Sequence, residues 1–308
     1  MFGRKGSDDQ RSIDSLRAIE AGGLPPTAAA RLEENARRQG TPDHIFTSNL
    51  SPSELLLTEE CGYEPLGQVM GCCVYHVGWQ GLAAGWGSYS GWTRMSQELG
   101  VLTQAYVDAR NLCFGRLEQE AAILRADGVV GVRFERTGSD LPSGTVEFKA
   151  VGTAVRSKAA RSAPPTQRPF LSNLNGQDHW ALRQAGMRPV GFAFGNCSWY
   201  QVAGWRNQMM NTGGVFGGSW TNGELIDFTQ GVYTSREIAL SRLSDEAARV
   251  GAIGVVGMVV QPTFELIDYD SNNVRYQDLL VQFTAYGTAI NYEIGQAVHT
   301  DIQFIVPL

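Results

Sequence analysis

The sequence lacks most of the features on which a biochemical assignment usually rests. Its 308 residues include four histidines, His44, His76, His179 and His299, and none lies in a Ser/Cys/Asp arrangement of known catalytic mechanics. No C-x-x-C and no H-x-x-x-H spacing occurs, so no compact zinc-type ligand set is written locally. No G-x-x-x-x-G-K-[ST] loop occurs either. Gly213-Gly-Val-Phe-Gly-Gly218 is glycine-rich but has no lysine to reach a phosphate. Basic charge is in deficit. With 25 Lys and Arg against 31 Asp and Glu, the net charge of −6 argues against a general nucleic-acid coat or a basic membrane-surface protein. No run of 18 apolar residues is present to span a bilayer, and the polar opening Met1–Gln10 is not a secretory signal. The cysteines, Cys61, Cys72, Cys73, Cys113 and Cys197, are odd in number and lack framework spacing; they read as reduced thiols in a cytoplasm.

What is present is an ordinary globular composition, 43% hydrophobic and 18% charged, and a duplication. Phe46-Thr-Ser-Asn-Leu50 recurs as Phe170-Leu-Ser-Asn-Leu174, and Gly62-Tyr-Glu-Pro65 as Gly186-Met-Arg-Pro189, both at an offset of 124. Glu98-Leu99, Arg110, Arg116-Leu117 and Glu120-Ala-Ala122 recur as Glu224-Leu225, Arg236, Arg242-Leu243 and Glu246-Ala-Ala248, now at 126. Gly128-Val-Val-Gly131 recurs as Gly254-Val-Val-Gly257 at 126, and Gly152-Thr-Ala154 as Gly287-Thr-Ala289 at 135. Matches in order, with an offset that grows twice, mean two homologous domains with two insertions in the second. The expected organisation is an N-terminal helical hairpin over 1–44, a first domain over 45–156, a linker over 157–168, a second domain over 169–291 and a strand-like tail over 292–308. The stretch Arg156–Arg168 is rich in Pro, Ser and Ala and carries four positive charges and no acid, as a solvated linker does.

Each domain reads the same way. Ser51-Pro-Ser-Glu54 is a capping box opening a short helix, with Asn175 and Asp178 in those places in the second domain; Gly62 and Gly186 end it. A strand follows over 66–77 and 190–202. Next come loops rich in glycine and aromatic residues, holding Trp86, Tyr89, Trp92, Phe216 and Trp220. A long helix is expected over 98–126 and 224–250. It carries a stripe of small apolar residues, Cys113, Leu117, Ala121 and Leu124 in one domain and Ala239, Leu243, Ala247 and Val250 in the other. Two strands close each domain, over 128–136 and 145–155, then 254–260 and 278–290. The fold class is α+β: two tandem copies of a small antiparallel sheet packed on one long helix, preceded by a short helical hairpin whose helices start near Ser12 and Thr27. Such a hairpin is too small for a core of its own and should dock on the body or on another subunit.

The motifs Arg116-Leu-Glu-Gln-Glu-Ala-Ala122, Gly128-Val-Val-Gly-Val132 and Gly152-Thr-Ala-Val155, repeated in the second domain, resemble the YbjQ-like family, which is named for a heavy-metal-binding domain. The resemblance implies a small sheet wrapped on a helix and ring-shaped, typically pentameric, self-assembly; it implies no known activity. Members usually carry one domain per chain. A ring of five domains cannot be tiled by two-domain chains. Either each domain forms its own ring, giving stacked layers, or the ring holds an even number of domains; stacked layers, five- or ten-fold, are the expectation.

The family name directs attention to metal ligands, and the candidates are Cys72, Cys73, His76 and Cys197. Cys72 and His76 share a strand face but stand about 13 Å apart at ~3.3 Å per residue. Only Cys73 and Cys197 are shared by the two domains, as core cysteines would be. The candidate interface residues are Trp86, Tyr89, Trp92, Phe216 and Trp220 with Arg116, Glu120, Arg242 and Glu246. Each of those Arg–Glu pairs is spaced i,i+4 on its helix, for a solvated pair or for pairing between subunits. The leading reading is a non-enzymatic, ring-forming homo-oligomeric scaffold or adaptor in the cytoplasm, with no catalytic residue, no cofactor and room for an unidentified protein partner. The alternative is a heavy-metal or small-ligand-binding protein holding a divalent or soft metal at a ring axis or between domains. An enzyme with a pocket between the unlike domains stands last.

Overall fold

The computed structural model of the chain describes residues 3–77, 95–137, 145–159, 168–207, 222–271 and 274–293. Helices α1 (Gly3–Glu20) and α2 (Pro26–Arg38) form the N-terminal hairpin. The first helix begins nine residues before the expected Ser12, because that polar opening has no Pro to stop a helix until Pro25.

The first domain contains α3 (Pro52–Glu60), β1 (Tyr63–His76), β2 (Gln97–Glu98), α4 (Gly100–Ile123), β3 (Gly128–Thr137) and β4 (Thr145–Ser157). The second contains β5 (Phe170–Leu171), α5 (Gly176–Gln184), β6 (Met187–Gln201), α6 (Ile226–Arg249), β7 (Gly254–Ser271) and β8 (Val274–Tyr292). The capping box of α3 is complete: the Glu54 amide donates to Ser51 Oγ at 3.3 Å and the Ser51 amide to Glu54 Oε2 at 2.7 Å. In α5 the Asp178 amide donates to Asn175 Oδ1 at 2.9 Å.

Each long helix lies across one face of its sheet, and one glycine per domain sets the distance. A Cβ on Gly71 would overlap the Cys113 carbonyl oxygen, and one on Gly195 the Ala239 carbonyl oxygen. Strand and helix backbones therefore touch, which only glycine allows. The expected stripes are the ones that face the sheets: Cys113, Leu117, Ala121 and Leu124 are buried, as are Ala239, Leu243 and Ala247. Val250 is the exception. It caps the helix end and is exposed, because the chain turns away at Gly251.

Two features depart from the sequence reading. Strands β7 and β8 are longer than expected and pair down to Ser271 and Val274, so the insertion behind the offset of 135 extends a hairpin rather than a loop. The sheets also exchange strands. One sheet has the order β1-β4-β3-β5 and the other β2-β6-β8-β7. Thus β2 of the first domain pairs antiparallel with β6, and β5 of the second pairs parallel with β3. A two-residue strand has no period to read, which is why neither was visible beforehand.

The seam between the two domains as candidate functional site

The repeated Phe-x-Ser-Asn-Leu segment ties each domain's start to its own sheet. Ser48 Oγ and Thr153 Oγ1 share a hydrogen bond of 2.8 Å, and Asn49 Nδ2 donates to the Gly131 carbonyl at 2.8 Å. In the second domain Ser172 pairs with Thr288 at 3.1 Å, and Asn173 Nδ2 donates to the Gly257 carbonyl at 2.6 Å. The second segment does more. Its outer edge pairs with β3 of the first domain: Gly131 N donates to Leu174 O, Val132 N to Ser172 O and Ser172 N to Val129 O, each at 2.9 Å.

The rest of the seam joins two different surfaces. The helix-bearing side of the first domain lies on the helix-free face of the second sheet. Phe114 and Phe134 meet Phe192 edge-on, with ring centroids 4.8 and 6.4 Å apart, and Phe134 also meets Phe194 and Tyr286. Tyr106 donates to Gln282 at 2.6 Å, and Tyr286 to the Phe134 carbonyl at 3.0 Å. Burial records the contact strand by strand. In β1 the outward residues Gln68, Met70, Cys72, Val74 and His76 are exposed, alternating with buried Val69 and Cys73. Their counterparts in β6, Phe192, Phe194, Asn196, Ser198 and Tyr200, are all buried, so that strand is covered on both faces.

Charge fixes the register. Arg110, nine-tenths buried and set over the Phe114 and Phe194 rings, donates across the seam to Glu246, which also accepts from the Phe194 amide at 3.0 Å. Arg242 grips Glu98 with both terminal nitrogens, at 2.6 and 2.9 Å, and donates to the Asn196 carbonyl at 2.8 Å. Burial alone would raise the Glu98 carboxyl. Hydrogen bonds from Arg242 and Thr103, with the guanidinium charge, outweigh it and hold the group below the usual carboxylate range. A cleft of about 300 Å³ runs between α4 and α6, lined by Arg110, Arg242 and Glu246 among others. Arg110 and Arg242 within it already answer carboxylates.

The expected i,i+4 pairs do not form. Arg242 and Glu246 each reach to the first domain instead. Arg116 donates to the carbonyls of Cys72 at 2.6 Å, Gly23 at 3.2 Å and Ile19 at 3.2 Å, while Glu120 accepts from the Met70 amide at 2.8 Å. Strand carbonyls and amides beside the helix outcompete a neighbour on the same helix, because an unanswered backbone group next to a buried side chain is costly. Of the seam residues, the sequence marks Arg110 and Glu98 only as positions shared by the two domains, and it does not mark Phe134 and Phe192. The signal was there: Gln68 and Met70 in one domain stand as Phe192 and Phe194 in the other.

The candidate metal ligands are not brought together. Cys73 and Cys197 are buried under separate helices, whereas Cys72 and His76 lie on the opposite, exposed face of β1. Desolvation pushes the Cys197 thiol up to about 12 and raises that of Cys73, which disfavours the thiolate a soft metal requires. Among the described residues no three His, Cys, Asp or Glu side chains converge as a metal site would need. Within one chain this set does not fit a metal ion. Trp86, Tyr89, Trp92, Phe216 and Trp220 lie outside the described residues, as does the tail over 294–308.

Tandem sheet-and-helix domains joined by strand exchange and by an interface of two unlike surfaces define the class of this protein. The family described as "Putative heavy-metal-binding" (YbjQ) matches residues 87–158 and 206–293, one stretch in each domain. The chain belongs to this family. It is 36% identical over 293 residues to "Encapsulin nanocompartment protein Rv1762c" of Mycobacterium tuberculosis (strain ATCC 25618 / H37Rv), covering 94% of this chain and 99% of that one. It is also 38% identical over 97 residues to a "UPF0145 protein" of Thermosipho africanus, which is 31% of this chain and 82% of that one. A "UPF0145 protein" of Vibrio campbellii matches at 42% over 59 residues, 19% of this chain and 55% of that one. Among the described residues no helix is long and apolar enough to cross a membrane.

Proposed function

We propose that this chain is a non-enzymatic, self-assembling scaffold subunit, acting in the cytoplasm, in which tandem domains follow one another head to tail around a ring. One observation carries the reading. The seam joins two unlike surfaces, and each domain keeps open the half that the other has closed. The helix-free face of the first sheet exposes Met70 (43%) and Val74 (61%), whereas the helix-bearing side of the second domain exposes Met258 and Val260 (46% each). Among the described residues strand β7 is an edge, while its counterpart β3 is covered by β5. A chain with one half of a heterologous interface at each end propagates until it closes. The long relative carries the name of an encapsulin nanocompartment protein, which supports a structural role for a shared two-domain chain. Because the domains sit side by side, the geometry favours a single layer with an even number of domains over stacked layers of like domains.

Native mass spectrometry of the full chain, with metal content measured on the same sample, tests this. A discrete multiple of the 33.6 kDa chain is expected. A single chain at every concentration would overturn the reading, and stoichiometric metal would favour the ligand-binding alternative.

A further inference from the structure

The N-terminal hairpin occupies an informative place. It lies along the flank of α4 beside the outer edge of β1, with Leu32 buried in the first domain's core and Gln39 Nε2 donating to the Leu66 carbonyl at 3.2 Å. In the second domain the corresponding flank of α6, beside β6, is held by the first domain. The matching extends to individual groups. Glu246 answers Arg110 of the first domain; its counterpart Glu120 meets Arg31 of the hairpin at 3.9 Å. Arg242 binds the Asn196 carbonyl and the Glu98 carboxylate; its counterpart Arg116 binds the Cys72 carbonyl and, in place of a carboxylate, the Ile19 and Gly23 carbonyls of the hairpin.

We propose that α1–α2 is an internal stand-in for a neighbouring chain: it covers the anchor points on the first domain at which the second domain of another copy of this chain docks, so that docking requires the hairpin to move. The inference rests on the self-assembly reading above. The repeat names the residues that would replace it. Arg110 corresponds to Arg236 and Glu98 to Glu224, both exposed on the helix-bearing side of the second domain. Arg236 of the incoming chain takes the place of Arg31 at Glu120, and its Glu224 replaces the two hairpin carbonyls at Arg116. One guanidinium and one carboxylate cannot serve both partners, so the two arrangements exclude each other. Part of the hairpin's apolar surface is also left unused. Ile13, Leu16 and Ile19 form an apolar stripe on α1 that stays exposed in this arrangement, leaving surface for α1 to bury elsewhere once released.

An occluded site lowers apparent affinity by the fraction of chains in which it is open. Sedimentation velocity over a concentration series on the full chain reads that fraction. Arg31→Glu changes a largely exposed side chain and sets a carboxylate against Glu120; the concentration for half-assembly is expected to fall about tenfold. Arg236→Glu combined with Glu224→Arg should raise it by at least as much, and should keep the Arg31→Glu chain from assembling. Hydrogen exchange on the wild-type chain gives an independent reading: amides over 12–38 should lose protection as assembly proceeds. If the chain assembles, the Arg236/Glu224 reversal breaks assembly, but Arg31→Glu and hairpin protection are without effect, then the stand-in idea is wrong and the self-assembly reading survives. If assembly ignores the reversal, docking uses another surface and the proposal fails. If neither wild type nor any variant assembles, the self-assembly reading fails first.

Discussion

The closed seam and the open faces are built from the same ancestral surfaces and differ in what fills them. At the seam, Phe114, Phe134, Phe192, Phe194 and Tyr286 form one aromatic cluster. At the corresponding open positions stand Leu240, Val260, Gln68, Met70 and Val151. The charged anchors, by contrast, are kept: Arg110 and Glu246 have Arg236 and Glu120, and Glu98 and Arg242 have Glu224 and Arg116. A joint that never opens can bury rings that water would not tolerate. A face that spends time in water keeps orientation through charge and limits its apolar area. The match is also incomplete in one place. Arg183 donates to the Cys61 carbonyl across the seam, whereas its counterpart is Glu59, which cannot donate. The open joint is therefore the weaker of the two by construction.

Truncating the centre of the closed joint should produce the largest effect. Phe134 is 3% exposed and touches rings from both domains, so Phe134→Ala should cost ~3–5 kcal/mol in urea unfolding. Val260→Ala at the matching open position should stay within ~0.5 kcal/mol. Equal losses at both positions would mean that the second domain's helix side is not an open face.

Acid should act next, with its largest effect on the closed side. His179 is buried beneath the Tyr63 and Phe170 rings and shares a hydrogen bond of 3.0 Å with Ser172. Desolvation lowers its pKa to about 4, from the 6.5 of an imidazole in water. A depressed folded pKa gives stability that is present above pH 6.5 and lost as pH falls towards 4, on the order of 3 kcal/mol. Glu98, held low by Arg242, adds to the loss at still lower pH, whereas Glu118 and Glu120, raised by burial, act in the opposite direction. His179→Gln keeps a hydrogen-bonding group and removes the titration, so its stability curve should flatten between pH 7 and 4 relative to wild type. The counterpart in the first domain is Leu55, which has nothing to titrate.

The duplication, the helix stripe and the capping box were legible because each is a pattern of residue types at fixed spacing. The long helix expected over 98–126 runs Gly100–Ile123, and the strand expected from Leu66 begins at Tyr63. The seam was not legible in that way. Spacing along α4 places Arg116 beside Glu120, but it says nothing about the strand carbonyl of Cys72, 44 positions away in sequence, that takes the guanidinium. The core cysteine, by contrast, is legible through the repeat: Cys73, matched by Cys197, is buried, while its unmatched neighbour Cys72 lies on the opposite, exposed face of β1.

Removing one charged anchor should separate the joints more gently. Arg110→Ala leaves Glu246 inside the seam with the Phe194 amide as its remaining partner, a loss of ~1–3 kcal/mol by thermal unfolding. Arg236→Ala removes an exposed side chain near Glu237 and should leave single-chain stability within ~0.5 kcal/mol. Its effect should instead appear as weaker assembly in sedimentation. Loss of stability without loss of assembly at Arg236 would reverse its assignment to the open face.

The finest distinction lies at two glycines that begin matching strands. A Cβ on Gly128 would overlap the Phe170 ring that β5 lays over it, whereas one on Gly254 would meet nothing nearer than Ile290 at 3.9 Å. Gly128→Ala should therefore destabilise the chain by ~1–2 kcal/mol as the ring is forced aside. Gly254→Ala should leave a single chain unchanged, or slightly more stable through a less flexible unfolded state. If Phe46 of a second chain reaches Gly254 as Phe170 reaches Gly128, the alanine will obstruct it, and assembly will weaken although the fold does not. Unchanged assembly in Gly254→Ala would confine the open joint to its helix and charges and remove strand pairing from it. That would leave β7, 18 residues long, as a bare edge among the described residues, open to pairing with other chains.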